Sequence, residues 1–335
     1  MSETGFHAEP PTLFLTDDDV AALADWDDAI AALAAAYARA DEPRRTPERA
    51  VAVTDAGWQR VMPSAPSGGR FAGSKTIAAS MRNGLASYLI TLFDQNDSRL
   101  AALIDGNRIT GIRTAATAAA ALTALLPDRT LQVAVVGSGF EARAQLRAAA
   151  RVARIATVRV ASPTPANRER FAAELGTELA LPIEAMASAE DVVRGADLVL
   201  CAARSRDETP TVLADWVSPD ATIVSVGSTT PAQHELDPVL IRRAAIIVAD
   251  TRAEVLHDSG DMIAAREGGF DPDAVTVSLH DLLGGRAARP AEGIAIYKST
   301  GSGFQDIVLA ELLYDRAVAR GIGTTLPVGI LTIRK

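Results

Sequence analysis

The sequence predicts an α/β protein in two parts, a doubly wound parallel sheet and an α+β part built on an antiparallel sheet. Between residues 131 and 250, apolar runs alternate with helical patterns, which is typical of parallel strands joined by crossover helices. Between residues 50 and 105, five β-like runs are separated by turn residues, and this spacing favours an antiparallel sheet. A chain of 335 residues is long enough for two domains.

In the first part of the chain, helices are expected before and after the antiparallel strands. Thr12–Leu15 reads as a short strand, and Thr16 is expected to cap a helix whose first turn carries three aspartates. A second helix is expected over Asp27–Ala40, and the Ala-rich segment Thr110–Leu126 predicts a long one. The five intervening strands are expected at Ala50–Thr54, Gln59–Pro63, Phe71–Ala79, Ser87–Phe93 and Leu100–Ile104.

The second part begins with Leu131–Val136, an apolar run typical of a buried parallel strand, followed by a helix to about Val152. A late strand at Gly293–Tyr297 and a helix at Phe304–Arg320 complete the pattern, and this last helix is expected to return to the first part. The other strands are expected at Thr157–Ala161, Leu181–Glu184, Leu198–Ala203, Thr222–Val226 and Ala245–Ala249, with helices at Pro165–Leu175, Ala189–Arg194 and Pro238–Arg243.

Composition excludes several classes of protein. Hydrophobic residues make up 48% and charged residues 22%, which excludes a disordered chain. The net charge of −9 argues against binding to nucleic acid or to an anionic membrane. The single cysteine, Cys201, excludes an internal disulfide and a cysteine-based zinc site, and no metal is expected. Without a visible secretory leader or a run long enough to span a bilayer, a soluble cytoplasmic protein is expected.

Lysine is scarce in this chain. Of 33 basic residues, only Lys75, Lys298 and Lys335 are lysines. An ammonium group can lose its proton when buried, whereas a guanidinium group effectively cannot. Lys75 lies in the predicted strand Phe71–Ala79, where it is either the outward side of a half-buried strand or a functional amine. A partly buried amine is suited to exchange a proton with a substrate imine.

The segment Gly137-Ser138-Gly139-Phe140-Glu141-Ala142 indicates a dinucleotide-binding loop, because it ends an apolar strand and opens a helix. Gly137 allows the tight turn, and Gly139 lets a pyrophosphate approach the backbone N–H groups at the start of the helix. Ala142 replaces the third glycine and allows close packing of helix and strand. The alternating strands and helices that follow strengthen the prediction of an NAD(P) cofactor.

The tip of the second parallel strand is expected to select between NADP and NAD. An Asp or Glu there would bind a ribose 2′-hydroxyl, but the sequence has Ser162, Thr164 and, close behind them, Arg168. Hydroxyl groups and a guanidinium group suit a 2′-phosphate, so the sequence favours NADP. The alternative is that the two hydroxyls cap the next helix while Arg168 is a solvated surface residue.

Two arginines are candidates for binding a carboxylate. Arg113 lies near the start of the Ala-rich helix, where a cation is unfavourable for the helix dipole. A bidentate substrate carboxylate would justify it there, and a structural pair with Asp105 or another carboxylate is the alternative. Arg49, in an arginine-rich loop, is the second candidate.

Several segments together resemble the ornithine cyclodeaminase/mu-crystallin family, in the family's order and over nearly the whole chain. These segments are Gly73-Ser-Lys75-Thr, the run from Asp105 to Ala116 with Arg113-Thr-Ala-Ala, Val136-Gly-Ser-Gly139, Gly195-Ala-Asp197, Val226-Gly227, Glu235-Leu-Asp237, Ser259-Gly-Asp261 and Tyr297-Lys298-Ser299-Thr-Gly301. The resemblance implies a Rossmann domain at 127–303. It also implies a split domain, 1–126 with 304–335, that binds substrate and forms a homodimer.

The resemblance also implies roles for single residues. Lys75 matches the catalytic amine, Arg49 and Arg113 match the residues that hold the substrate carboxylate, and Ser87 stands where a threonine lines the site. Ser299 matches a residue near the nicotinamide, and Lys298 beside it looks like scaffolding. Thr300 is also expected at the substrate, and the residues expected at the cofactor are Thr114, Gly137, Ser138, Gly139, Phe140, Glu141, Ser162, Thr164, Arg168, Ala203, Gly227, Ser228 and Ser299.

One departure from the family bears on the reaction. The cyclodeaminase carries an Asp and a Lys where this chain has Thr229 and Gln233, and without the Asp, ammonia loss with ring closure is disfavoured. The sequence therefore predicts an NAD(P)-dependent oxidoreductase of an α-imino or α-amino acid, with a cyclic ketimine as preferred substrate. The alternatives are an ornithine or lysine cyclodeaminase that recycles NAD, and an NADPH-gated ligand-binding protein of the mu-crystallin type.

Overall fold

The computed structural model describes residues 11–203, 205, 207–327 and 329–333, so Lys335 lies outside the described residues. These residues form two compact units. The first comprises the described parts of Met1–Asp25, Glu42–Thr110 and Gly303–Lys335, and the second comprises the described parts of Trp26–Asp41 and Gly111–Ser302.

The part of the chain that the structure describes contains fifteen strands and eleven α-helices. The strands are β1 (Leu13–Leu15), β2 (Ala50–Thr54), β3 (Gly57–Ser64), β4 (Phe71–Ser80), β5 (Leu85–Asp94), β6 (Leu100–Asp105), β7 (Leu131–Val136), β8 (Ile155–Ala161), β9 (Ile183–Met186), β10 (Leu198–Cys201), β11 (Thr222–Ser225), β12 (Ala244–Ala249), β13 (Thr276–Ser278), β14 (Ile294–Lys298) and β15 (Thr324–Thr325). The helices are α1 (Asp17–Leu23), α2 (Trp26–Tyr37), α3 (Asn107–Leu125), α4 (Phe140–Val152), α5 (Pro165–Leu179), α6 (Ala189–Val193), α7 (Pro238–Arg243), α8 (Arg252–Asp258), α9 (Gly260–Glu267), α10 (Leu279–Leu283) and α11 (Gly303–Arg320), with 3-10 turns at Pro43–Arg45, Ala214–Trp216 and Pro272–Val275.

The first unit is built on a seven-stranded sheet in the order β15-β1-β6-β5-β4-β3-β2. Strands β2 to β6 pair antiparallel with their neighbours, as the sequence predicts, whereas β1 joins β6 in parallel. Thr16 caps α1 as expected, with Asp19 completing a reciprocal capping box. Helix α11 packs on β3, β4 and β5, and covers the face that carries the buried residues Phe71 and Ile90.

The second unit is built on an eight-stranded parallel sheet in the order β9-β8-β7-β10-β11-β14-β12-β13. The central strands β10 and β11 are buried along their whole length, and this fits the apolar sequence of β10 and the apolar centre of β11, Ile223 and Val224. The chain order reverses between β7 and β10, and in such sheets ligands bind outside the carboxyl ends of the strands at this point. The predicted doubly wound α/β fold is confirmed.

The units differ from the boundaries 1–126, 127–303 and 304–335 expected from sequence. Helix α2 groups with the second unit because it packs on α4 and α10, and the ring of Tyr37 lies 4.7 Å from that of His280. Most of α3 belongs there as well. Among the described helices, none is both long enough and apolar enough to cross a bilayer.

Candidate active site

The turn between β7 and α4 has the geometry of a dinucleotide phosphate loop. Gly137 adopts a φ of +114°, and a Cβ there would lie 2.6 Å from the carbonyl oxygen of Ala202, so only glycine fits. Gly139 is the N-cap of α4, where no described side chain caps the helix and a Cβ would meet open space. The N-terminus of a 13-residue helix is thus presented to an anion. The loop therefore fits the pyrophosphate of a nicotinamide dinucleotide.

Phe140 and Glu141 follow this loop in the first turn of α4. The ring of Phe140 lies over Gly111 of α3, because a Cβ on Gly111 would come within 2.3 Å of that ring. Phe140 nevertheless remains 58% exposed, and Glu141 is half-buried. Thr114, one turn after Gly111, is buried.

The tip of β8 brings three of the expected cofactor residues together. The Ser138 hydroxyl donates to the Ser162 hydroxyl at 2.8 Å, and Arg168 donates to the Ser162 carbonyl oxygen at 3.0 Å. Thr164 is the N-cap of α5, but its side chain forms no capping hydrogen bond with the described residues. Helix capping therefore does not account for the Thr164 hydroxyl, and Arg168 is half-buried against the tip.

The residues that follow β10 and β11 lie close to the phosphate loop. A Cβ at Gly137 would lie 3.3 Å from the Ala203 methyl group. A Cβ at Gly227 would lie 3.4 Å from the Ala203 carbonyl oxygen and 2.5 Å from a carboxylate oxygen of Glu235. Gly137, Ala203 and Gly227, all expected at the cofactor, therefore meet at the carboxyl edge of the sheet.

The loop after Gly227 is held by its own side chains. The Ser228 hydroxyl is buried and donates to the carbonyl oxygen of Gln233 at 2.6 Å, so it stabilises the loop from inside. The Gln233 amide oxygen accepts hydrogen bonds from the backbone N–H of Thr229 at 3.0 Å and from its hydroxyl at 3.1 Å. Thr229 and Gln233, the positions at which the family resemblance implies charged residues in the cyclodeaminase, thus form a neutral pair.

Asp250, which sequence reasoning missed, organises the loop after β14. This carboxylate is almost fully buried at the end of β12. It accepts hydrogen bonds from the Ser299 hydroxyl at 2.7 Å and from the backbone N–H groups of Thr300 at 3.2 Å and Gly301 at 2.9 Å. The Arg113 guanidinium group, also buried, packs over Gly301, where a Cβ would lie 2.8 Å from Nη1. The only signal in the sequence was an aspartate directly after an apolar strand.

A second buried polar cluster lies beside this loop. The ammonium group of Lys298 is 2.5 Å from Asp261 and donates to the Ser225 hydroxyl at 2.6 Å. Glu235 accepts from Ser225 at 2.6 Å and from the backbone N–H of Gly227 at 3.0 Å. Burial raises the pKa of Glu235 to about 7, against the opposing effect of Lys298. Through its contacts with Ser225 and Asp261, Lys298 connects β14 to β11 and α9.

Lys75 lies in the first unit, on the covered face of β4. It is fully buried, and its Nζ is 2.8 Å from each carboxylate oxygen of Asp306, which is also fully buried in the first turn of α11. It also donates to the Thr110 hydroxyl at 3.4 Å. The alternative of an outward-facing lysine is wrong. Asp306 gave no signal in the sequence, and Arg49 lies half-buried just before β2.

The expectation for Ser87 needs correction. In β4 and β5, Lys75 is paired with Ile90 and Ala78 is paired with Ser87. Because side chains alternate along a strand, Ser87 lies on the face opposite Lys75, and it is exposed there. The structure therefore separates Ser87 from the Lys75 amine.

Comparison with known proteins identifies a matching family and several relatives. The family model of the ornithine cyclodeaminase/mu-crystallin family matches residues 11–321. Ketimine reductase mu-crystallin of Mus musculus is 30% identical over 226 residues, 68% of this chain and 68% of the mouse protein. Iminosuccinate reductase of Paracoccus denitrificans is 30% identical over 234 residues, 70% of this chain and 71% of that protein.

A solved structure is similar to this chain over nearly the whole length of both proteins. The Delta(1)-pyrroline-2-carboxylate reductase of Thermococcus litoralis, in complex with NADH and L-proline, gives a TM-score of 0.86 at 26% identity. The match covers 94% of this chain and 100% of that one. With a family match that spans nearly all of the described residues, the chain belongs to the ornithine cyclodeaminase/mu-crystallin family.

Proposed function

We propose that this chain is a nicotinamide-dependent reductase of α-imino acids. The observation that carries the proposal is Lys75, a fully buried amine held by a buried carboxylate. Burying such a pair is costly, and a buried amine is suited to exchange a proton with a substrate imine. Relatives named as reductases of a ketimine, of iminosuccinate and of a pyrroline carboxylate support the substrate class.

In the proposed reaction, Arg49 and Arg113 bind the substrate carboxylate and orient the C=N bond. Lys75 donates a proton to the imine nitrogen, directly or through a water molecule. When bound, the reduced nicotinamide supplies the hydride that the α-carbon accepts. A cyclic ketimine such as pyrroline- or piperideine-2-carboxylate is the preferred substrate, and an α-keto acid with ammonia is the second choice. Oxidation of an α-amino acid is the same reaction reversed.

The Thr229–Gln233 pair supports reduction over cyclodeamination. A net deamination needs a group that accepts protons at this place, and neither the threonine hydroxyl nor the glutamine amide does so near neutral pH. Release of ammonia from ornithine or lysine, without net change in cofactor absorbance, would favour the cyclodeaminase instead. Tight NADPH binding without turnover would favour a ligand-binding protein of the mu-crystallin type.

We further propose that the cofactor is NADP rather than NAD. The tip of β8, Ala161-Ser-Pro-Thr164, has no carboxylate in its sequence that would repel a 2′-phosphate, and the Ser138 hydroxyl contacts the Ser162 hydroxyl there. Arg168 uses one N–H to hold the Ser162 carbonyl oxygen, and a guanidinium group has five such donors. The charge and the remaining donors of Arg168 therefore suit a phosphate at this tip.

The proposal includes a homodimer through the outer face of β5. Leu85, Leu89 and Phe93 lie in one row on the face opposite Lys75 and are 67%, 39% and 39% exposed. Large apolar side chains exposed together mark an interaction surface more often than a solvated one. We propose the cytoplasm as the compartment of this dimer, because reduced nicotinamide cofactors are available there.

A panel of imino acids tests the function. Cyclic imine carboxylates, iminosuccinate, and keto acids with ammonia are each supplied with NADPH or NADH, and cofactor oxidation is followed at about 340 nm. We expect turnover of at least one imine, faster with NADPH. In Lys75→Met, kcat is expected to fall on the order of 100-fold while NADPH still binds. Unchanged turnover in Lys75→Met would reject the role of the amine.

A further inference from the structure

Helix α11 begins close to β3 and β4, and two glycines allow this contact. A Cβ at Gly73 would lie 2.8 Å from the side chain of Ile307, and a Cβ at Gly303 would lie 2.4 Å from the carbonyl oxygen of Met62. Gly73 precedes Lys75 by two residues, and Gly303 precedes Asp306 by three. These close contacts bring the start of α11, which carries Asp306, near the part of β4 that carries Lys75.

Within the first unit, Lys75 contacts a carboxylate and a hydroxyl group, and its neighbours in the sheet are apolar. In the sheet, Lys75 is flanked by Met62 on β3 and Ile90 on β5, both apolar and buried. Helix α3 contributes the Thr110 hydroxyl, which itself donates to the carbonyl oxygen of Gly106 at 2.8 Å and so presents a lone pair to Nζ. Helix α11 contributes the Asp306 carboxylate, with both oxygens at 2.8 Å.

We infer that Asp306 is a positioning residue for the proposed reduction, which keeps Lys75 in its ammonium form and directs its N–H groups. The inference rests on the proposed function of Lys75 as proton donor. An ammonium group in an apolar surrounding loses its proton readily, and a carboxylate in contact opposes this loss. Asp306 acts only through Lys75.

The proton transfer balances with the groups already named. One N–H bond of Lys75 breaks, and an N–H bond to the substrate nitrogen forms. The electron pair of the new C–H bond comes from the reduced nicotinamide of the proposed reaction. Lys75 is left as a neutral amine, and it regains a proton from solvent before the next turnover.

Asp306→Asn tests the inference, because it keeps the shape of the side chain and removes its charge. We expect kcat to fall on the order of 10–100-fold with little change in KM. We also expect the alkaline limb of the kcat profile to move about 1–3 pH units lower. Asp306→Glu, which restores the charge, should recover part of both effects. Asp261→Asn removes the carboxylate from the other buried lysine, Lys298, and should lower stability without moving that limb.

A spectroscopic readout separates this inference from the proposed function. The chain has three lysines, so protein with ¹⁵N-labelled lysine gives few side-chain signals, and Lys75→Met assigns the one of interest. The Lys75 signal should report loss of the proton at lower pH in Asp306→Asn than in the wild type. If wild type reduces no imine, the proposed function fails, while this titration still tests the pair.

Two results would overturn the inference. The first is a folded Asp306→Asn protein whose Lys75 signal and kcat titrate as in the wild type. The second result applies if Asp306→Asn does not fold, and it comes from a double variant. The double variant Lys75→Met with Asp306→Asn then removes both buried charges, and it should be no slower than Lys75→Met alone. A further large loss of kcat in the double variant would show that Asp306 acts independently of Lys75.

Discussion

Glu235 is fully buried in the second unit, and its Oε1 forms no hydrogen bond with the described residues. Burial raises its pKa from 4.5 to about 7. The unfolded chain releases this proton near pH 4.5, whereas the folded chain keeps it until about pH 7. Between these values the folded state binds more protons, so the free energy of unfolding falls as pH rises and levels off above about 7.

We therefore expect Glu235→Gln to remove part of the pH dependence of stability. The pKa shift of Glu235 corresponds to a loss of roughly 3 kcal/mol in the free energy of unfolding of the wild type between pH 5 and pH 8. Urea unfolding of wild type and Glu235→Gln at the two pH values measures the difference. Glu184→Gln, at an exposed position of β9, is the control and should behave as the wild type. Equal pH slopes in wild type and Glu235→Gln would contradict the explanation.

At the scale of residues, sequence reasoning found the groups that are unusual by type and missed their partners. Lys75 stood out because lysine is rare, and Arg113 because a cation near a helix N-terminus is unfavourable. Asp306 lies 231 positions from Lys75 along the chain, and aspartates are common in this sequence. Such a pair is defined only when α11 packs on β4.

At the scale of elements, the loop after β14 combines backbone strain with a side-chain contact. Gly301 has a φ of +77°, a left-handed conformation that is costly for other residues, and the Arg113 guanidinium group packs over it. The Asp250 carboxylate stabilises this loop by accepting three hydrogen bonds from it. The position of the Arg113 guanidinium group therefore depends on a glycine at 301.

Gly301→Ala tests both the backbone strain at this position and the contact with the Arg113 guanidinium group. The left-handed backbone costs an alanine about 1–2 kcal/mol of stability, and the added methyl group displaces the Arg113 guanidinium group. We expect KM for the imino acid to rise about tenfold, an amount that corresponds to about 1.4 kcal/mol, with a smaller change in KM for NADPH. Gly269→Ala is the matched control, because Gly269 has a φ of +82° and no atom lies within 4 Å of its Cβ position. An equal rise of KM in both variants would count against a carboxylate role for Arg113.

Long apolar runs and turn residues predicted most elements within a few residues, including β2, β7 and α7. Strand β13 and helices α8 to α10 were missed, since they have only three to eight residues and little periodicity. The parallel pairing of β1 with β6 was also missed, because a three-residue strand contains no information about its partner.

At the scale of the whole molecule, the chain passes between its two units several times. The sequence predicted that the C-terminal helix returns to the first unit, because residues 321–335 again look like loop and strand. The excursion of Trp26–Asp41 into the second unit was not predicted, since its helical pattern does not reveal which surface its apolar face covers.

The proposed dimer gives a prediction at this scale. Leu89→Glu places a charge in the middle of the apolar row on β5 and should convert the dimer to a monomer, as measured by light scattering after size exclusion. Val318→Glu, at a comparably exposed apolar position on α11, is the control and should leave the mass unchanged. A wild-type chain that is monomeric at micromolar concentration would refute the dimer.

The burial of Lys75 and Lys298 has a practical consequence for chemical labelling. Neither side chain is accessible to solvent in the folded chain, so acylating reagents such as succinimidyl esters should react with them only after the surrounding structure opens. The rate of acylation at each lysine would then report local opening, one in each unit.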